Sequence, residues 1–295
     1  MDDPLYIGIR FALYADLMLL FGLPLFGLYT PGARDSFTLR RPVMVGFTLL
    51  GLVLSALALA AMTASMAGVA ILDVDRASIW AMVSETPMGK AWSVRMGALA
   101  LLAASLVGLR RPAVLASLGA VALGSLAWTG HGAAGEGSGG TVQLIGDLVH
   151  LLAAGAWLGA LFGLGTMLWV GDDQAATHRA LERFAPVGTV IVAAIVGSGL
   201  VNGLYLVGWS NLGRLPFTLY GQLLLLKLAL FVAMLGLAAV NRFRLTPALR
   251  NAQGQAVGSA RRALSRSLMV ETAAAMAILG LVAWFGTLEP MALVR

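Results

Sequence analysis

His131 and His150 flank one short glycine-rich stretch, Gly130 to Thr141 (G-H-G-A-A-G-E-G-S-G-G-T), in a chain with 3 histidines and no cysteine. Glu136 lies inside the stretch, and Asp147 stands one helical turn before His150. Imidazole is the commonest metal ligand among side chains. Neutral imidazoles with one or two carboxylates suit borderline divalent ions such as Cu(II), Zn(II) or Ni(II), and thioethers add Cu(I) character. Met62 and Met66, at i and i+4, are the thioether candidates, although methionine at such spacing more often fills a core. These types and spacings predict a metal site drawn from His131, His150, Asp147 and Glu136, with Met62 and Met66 as additional donors.

Further polar residues lie along the same stretches. Asp147, His150, Ala154, Trp157 and Leu161 fall at i, i+3, i+7, i+10 and i+14, so one helix face carries a carboxylate, an imidazole and an indole. Gly155, Gly159 and Gly163 form a neighbouring small-residue stripe that allows close helix approach and reads as packing. Arg10, Asp16, Arg95 and Lys227 sit within apolar spans, where an isolated charge costs about 2.5–3.5 kcal/mol on insertion scales. They are expected to pair, Asp16 or Asp147 with Arg10, Arg95 or Lys227. Two roles stay open for them, as ion pairs locking helices or as a charge-compensated cation path, and the depth of Asp16 makes it a candidate for proton or cation coupling. Asn202 closes a run, G-S-G-L-V-N-G from Gly197, that either breaks its helix to expose carbonyls or makes a flexible one. Asn241 and Arg242 end a span where arginine suits a helix C-terminus and lipid phosphate. His178 reads as an ordinary surface histidine, and residues 248–265, polar and basic, as a mobile loop.

The elements that must position these residues are membrane helices. Hydrophobic residues make up 59% of the 295-residue chain and charged residues 12%, with a mean hydropathy of +0.86. A soluble domain carries roughly twice that charge. No large soluble domain fits, and the apolar runs lack the alternation of a β-barrel. The fold expected is an all-α bundle of eight spans, at about 5–29, 43–71, 92–109, 113–130, 142–169, 186–206, 219–240 and 267–286. The acidic start, M-D-D-P-L-Y, has no basic n-region, so the first stretch is expected to remain as a span. With the N-terminus outside, thirteen of the 20 lysines and arginines fall in inner loops. That bias predicts both termini on the outer side. It also accounts for the +6 charge without nucleic acid. The absence of cysteine removes thiolate sites and nucleophiles, and no G-x-x-x-x-G-K-[ST] loop is present. The chain reads as no enzyme.

The two halves, 1–130 and 131–295, read as a tandem duplication of four spans each. Asp16 and Leu17 match Asp147 and Leu148 at an offset of 131; Ser78, Thr86, Gly89, Arg95 and Arg110 match Ser210, Thr218, Gly221, Lys227 and Arg242 at 132. Such self-similarity marks duplicated architecture. Two halves of the same orientation place a site at their interface.

Four stretches carry a family resemblance: T-G-H-G-A-A from Thr129, D-L-V-H-L-L-A-A-G-A-W-L-G-A-L from Asp147, G-Q-L-L-L-L-K-L-A-L from Gly221 and N-R-F-R-L-T-P-A-L from Asn241. They resemble the copper resistance protein D (CopD) family, most densely over about residues 125–285. The resemblance implies a bacterial inner-membrane protein of copper homeostasis that carries copper inward and works with a small periplasmic copper-binding protein of the CopC type. It implies that His131 and His150 are the histidines of the family's T-G-H and D-x-x-H motifs. Trp157 then belongs to its W-x-G, and Lys227, Asn241 and Arg242 to its later motifs. Two other readings stay open. One is a b-type haem electron carrier with two axial histidines, although His131 and His150 lie near the outer surface and no second pair exists. The other is a copper sensor or assembly partner without flux.

Overall fold

Long apolar runs, capped at polar or glycine-rich turns, dictate helices throughout the chain. The computed structural model describes residues 4–30, 41–108, 111–129, 137–170 and 174–288. Ten α-helices are present among them: α1 (Pro4–Tyr29), α2 (Arg41–Ala67), α3 (Arg76–Glu85), α4 (Pro87–Val107), α5 (Pro112–Gly124), α6 (Gly137–Val170), α7 (Gln174–Leu206), α8 (Leu219–Val240), α9 (Thr246–Asn251) and α10 (Gln255–Phe285). Eight helical segments are long and apolar enough to cross a membrane. This is the all-α, eight-span bundle expected.

The centre is the crossing of α1 and α6. A Cβ added to Gly159 would lie 2.2 Å from the carbonyl carbon of Gly22, and one added to Gly22 would lie 2.2 Å from the Gly155 oxygen. Only two glycines let the backbones touch in this way. Gly163 makes equal room for the Phe26 ring, 2.4 Å from its would-be Cβ. The stripe Gly155, Gly159 and Gly163 is therefore a packing face, as read from the sequence.

The helices around this crossing follow related plans. In the first half α1 packs on α2 and α5, and α4 packs on both α5 and α2. In the second, α6 packs on α7 and α10, and α8 packs on α10. Helices α4 and α8 also begin alike. Thr86 accepts from the Gly89 N–H at 2.9 Å and Thr218 from the Gly221 N–H at 3.1 Å, each satisfying a free donor of the first turn. A Cβ at Gly89 would come within 2.1 Å of the Met82 oxygen, and one at Gly221 within 2.1 Å of the Leu215 oxygen. Both chains double back onto the helix start. The halves differ at one place: α7 has no packing on α8 comparable to that of α2 on α4.

One expectation is corrected, and one open alternative is decided. Residues 248–265 are not a loop: α9 ends at Asn251 and α10 begins at Gln255. Buried Leu264 and Leu268 supply an apolar stripe there, and Arg261 donates to the Leu168 carbonyl at 2.7 Å, capping the end of α6. Of the two readings of the Gly197–Gly203 run, the unbroken helix holds: α7 runs from Gln174 to Leu206, Ser198 folds its hydroxyl back on the Ala194 carbonyl, and helix α6 packs along it. The segment after α2 is partly helical, with Asp75 capping α3. The Ser78 N–H and hydroxyl on its carboxylate hold Asp75 below the usual carboxylate range.

The α1–α6 contact makes a direct prediction. Gly159→Ala should destabilise the detergent-solubilised protein by about 2–3 kcal/mol, the range for overpacking a rigid contact. Gly165→Ala, on the same helix with open space around it, should be neutral within about 0.5 kcal/mol. Equal unfolding midpoints for the two variants would rule out the crossing as described.

Candidate functional site

The site is built on the face of α6 opposite its glycine stripe. Two residues along a helix turn the side chain by about 200°. Burying Gly159 against α1 therefore turns Trp157, and with it Asp147 and His150, toward α7 and α8. His150 Nδ1 lies 3.0 Å from Ser198 Oγ on α7. Ser198 Oγ also lies 2.5 Å from the Ala194 carbonyl and 3.2 Å from the Ile195 carbonyl, both acceptors for its hydrogen. With that hydrogen on a carbonyl, Nδ1 is the donor to Oγ and Nε2 keeps the lone pair, the form in which imidazole binds a cation. One turn away Asp147 accepts a hydrogen bond from the Asn202 side chain and lies within electrostatic range of Lys227 and Tyr220 on α8. Gly146 makes room for Asn202: a Cβ there would meet Asn202 Oδ1 at 2.8 Å. That Oδ1 is buried and has no hydrogen-bond partner. Lys227 Nζ sits 5.6 Å from the centre of the Phe285 ring. The result is an imidazole nitrogen, a carboxylate and an amide oxygen at one end of the bundle, with a cation beside them.

The predicted residues divide into three places. Asp147, His150, Asn202 and Lys227 come together. His131 and Glu136 lie outside the described residues. Met62 and Met66 do not join the group: Met66 is 65% exposed, and Met62 faces a small cavity of about 30 Å³ in the first half, with Arg10, Arg95 and Trp92. Among the described residues no three of His, Asp or Glu converge as a metal cage.

The expected pairing of Asp16 is corrected. It is 3% exposed, and neither of its oxygens has a hydrogen-bond partner. Gly51 leaves it space, since a Cβ there would lie 2.6 Å from Oδ2. Arg10 and Arg95 are engaged elsewhere. Arg10 stacks over Tyr6 and Tyr14 at 5.6 and 5.8 Å, and Arg95 Nε donates to Ser125 Oγ at 2.9 Å.

Further along the same α6 face a cavity of about 530 Å³ opens between α7, α8 and α10, at the end that carries the basic turns. Trp157 forms part of its wall, edge-on to Phe184 at 5.9 Å. Arg242 closes one side, donating to Thr189 Oγ1 at 2.7 Å and so tying the end of α8 to α7. His178 is not a free surface residue: it pairs with Glu182 at 3.0 Å and lines the cavity. Asn241 opens a π-helical turn, Asn241–Leu245, just before Pro247, whose ring cannot be accommodated by a regular preceding turn. Its amide donates to Glu271 of α10. Sequence reasoning missed Ser198 and Glu271. The signal for Glu271 was present, a lone carboxylate in an apolar run, but reading 248–265 as a loop left it near a span end.

Comparison with known proteins decides the family. Residues 1–141 match the copper resistance protein D-like N-terminal domain, and residues 178–285 match copper resistance protein D. The chain is 44% identical to Copper resistance protein D of Pseudomonas syringae pv. tomato, over 98% of both chains. It belongs to the copper resistance protein D family. It is also 29% identical to Inner membrane protein YebZ of Escherichia coli K12, over 85% of this chain and 88% of that one. Copper transport protein CutJ of Bacillus subtilis 168 is 32% identical over 69% of this chain and 37% of its own length. No solved structure matches the chain. The family membership makes this a copper-related membrane protein, as the motifs implied.

The hydrogen bond that orients Asp147 is testable. Asn202→Leu leaves a buried carboxylate short of a donor and should cost about 1–3 kcal/mol of stability. Asn202→Gln, which keeps an amide, should recover part of it. A thermal unfolding series in detergent reads both, and an unchanged midpoint for Asn202→Leu would dissolve the Asp147–Asn202 link.

Proposed function

We propose that this family member carries copper across the bacterial inner membrane, from the periplasm inward, as a carrier and not an enzyme. Copper is received at Asp147 and His150, with His131 and Glu136 of the adjoining stretch as further donors. A periplasmic CopC-type protein is the proposed source. The observation that carries this reading is a single helix face. From Asp147 through His150 and Trp157 to Leu164 it runs about 25 Å at 1.5 Å per residue, most of a hydrocarbon core about 30 Å thick. A polar cluster stands at one end of this face and the cavity at the other, and the helices on either side of it, α7 and α8, stay apart.

The direction rests on charge. The basic turns lie at the cavity end, and positive loops face the cytoplasm. Lys227 beside Asp147 makes the unloaded site electrically compensated, so that an arriving cation displaces a protein charge from the carboxylate instead of meeting a bare one. Asp16, buried without a partner, is the proposed coupling carboxylate of the first half.

Copper retention by the purified full-length protein tests the receiving site. His150→Ala and Asp147→Asn should each weaken retention at least about tenfold, the lower end for disturbing a metal site. Met66→Leu should retain copper as the wild type does. Unchanged retention in both site variants would remove α6 as the receiving helix, and a Soret band lost on mutating His150 would replace copper with haem. In sealed vesicles Asp16→Asn should slow copper flux while leaving retention intact; normal flux would end its coupling role.

A further inference from the structure

The cavity at the basic end holds a carboxylate for which receiving copper has no use. Glu271 is 2% exposed, lies well inside α10 and lines the cavity wall. An ionisable group in a membrane span is costly and points to function by default. Among the described residues its hydrogen-bond partner is the Asn241 amide N–H, which donates to Oε1. The Asn241 side chain is itself buried, and its Oδ1 has no partner. A plain helix clamp would use both ends of the amide. Here one end donates to a carboxylate and the other is free to accept.

That half-used amide suits a group with two protonation states. When Glu271 is ionised, the Asn241 N–H stabilises the charge. When Glu271 is protonated, its O–H can donate to the vacant Oδ1 after a small rotation of either side chain. Both states then keep one good hydrogen bond, so neither leaves a buried polar group stranded. The donor set also argues against copper at this point. A carboxylate and an amide oxygen are hard ligands, poorly matched to Cu(I) and too few for Cu(II).

We propose that Glu271 is a proton-exchange site, taking up and releasing a proton through the cavity at the basic end, with Asn241 holding both states. The proton adds to the carboxylate and leaves it as such; no other bond is made or broken. The cavity, which Glu271 lines, supplies the route. The other titratable groups on its wall are His178 and Glu182 of α7, Arg242 of the π turn and Arg250 of α9; α6 contributes none. Helix α1 packs on α10 as well and adds none to that wall. His178, 3.0 Å from Glu182, lines the same cavity. The inference rests on the copper-carrier reading only for what the proton moves against.

Dicyclohexylcarbodiimide, an apolar reagent that adds to protonated carboxyls and spares carboxylates, reads this state directly. The full-length protein in lipid vesicles would be labelled at mildly acidic and at alkaline pH, and the peptide bearing Glu271 followed by mass. The expected result is an adduct on Glu271 in acid that falls several-fold in alkali. In Asn241→Leu, which removes the donor to the carboxylate, labelling should persist to a higher pH than in wild type. Glu271→Gln preserves the amide pair and serves as the folding control. An unlabelled Glu271 at both pH values, or equal labelling at both, overturns the proposal. Copper retention on the same preparation separates the two readings. PH-dependent labelling without copper retention upholds the proton site and removes the copper site; retention without labelling does the reverse.

Discussion

The backbone contact between Gly22 and Gly159 is the constraint from which the rest follows. Bilayer hydrocarbon offers no hydrophobic drive for helices to associate, so tight van der Waals packing between small residues has to hold the bundle together. Gly155, Gly159 and Gly163 commit one face of α6 to α1. The opposite face is then fixed in direction along its whole length. Asp147, His150 and Trp157 are aimed at α7 and α8 by the glycines behind them, and Ser198 and Asn202 then hold the first two in place.

What happens on that opposite face depends on a departure from symmetry. Helices α4 and α8 start with the same threonine cap and the same glycine pressed under the preceding segment. They carry their intraspan cations, Arg95 and Lys227, at the same offset. Yet α4 closes against α2, whereas α8 stays away from α7. The closed side buries Asp16 without a hydrogen-bond partner and Arg95 against Ser125. The open side leaves a polar cluster at one end and a cavity at the other. Arg242, donating to Thr189, is a bridge across it and keeps the gap at a set width near the basic turns.

Two half-satisfied buried amides, Asn202 and Asn241, stand near the two ends of the open side. Asn202 and Asn241 each use the amide N–H on a carboxylate, Asp147 and Glu271 respectively, and each leaves a carbonyl oxygen vacant. In a low-dielectric interior such vacancies are costly unless something fills them in part of the working cycle. The same arrangement recurs at the two ends of the open side, with an imidazole added at one end and absent at the other. That difference in donor chemistry separates a site fit for a borderline metal from one fit for a proton.

The sequence by itself determined the class, the eight spans and the α6 face, because hydropathy and a 3.6-residue period survive without knowledge of any partner. It determined the family as well, since T-G-H, D-x-x-H and N-R-F-R are local strings. The repeat at offsets 131 and 132 pointed to the paired helix starts. Only the tertiary structure decided which helix each polar face meets. Ser198 becomes legible as the partner of His150, and Glu271 as the partner of Asn241, once α7 lies on α6 and α10 lies beside the end of α8. Asp16 was expected to find a cation because an isolated charge in lipid is costly. The arginines were instead taken by Tyr6, Tyr14 and Ser125, a choice set by distances across helices that no spacing along the chain encodes. Residues 248–265 went the same way: their polarity reads as a loop, and only Leu264 and Leu268, buried against the bundle, make that stretch a helix.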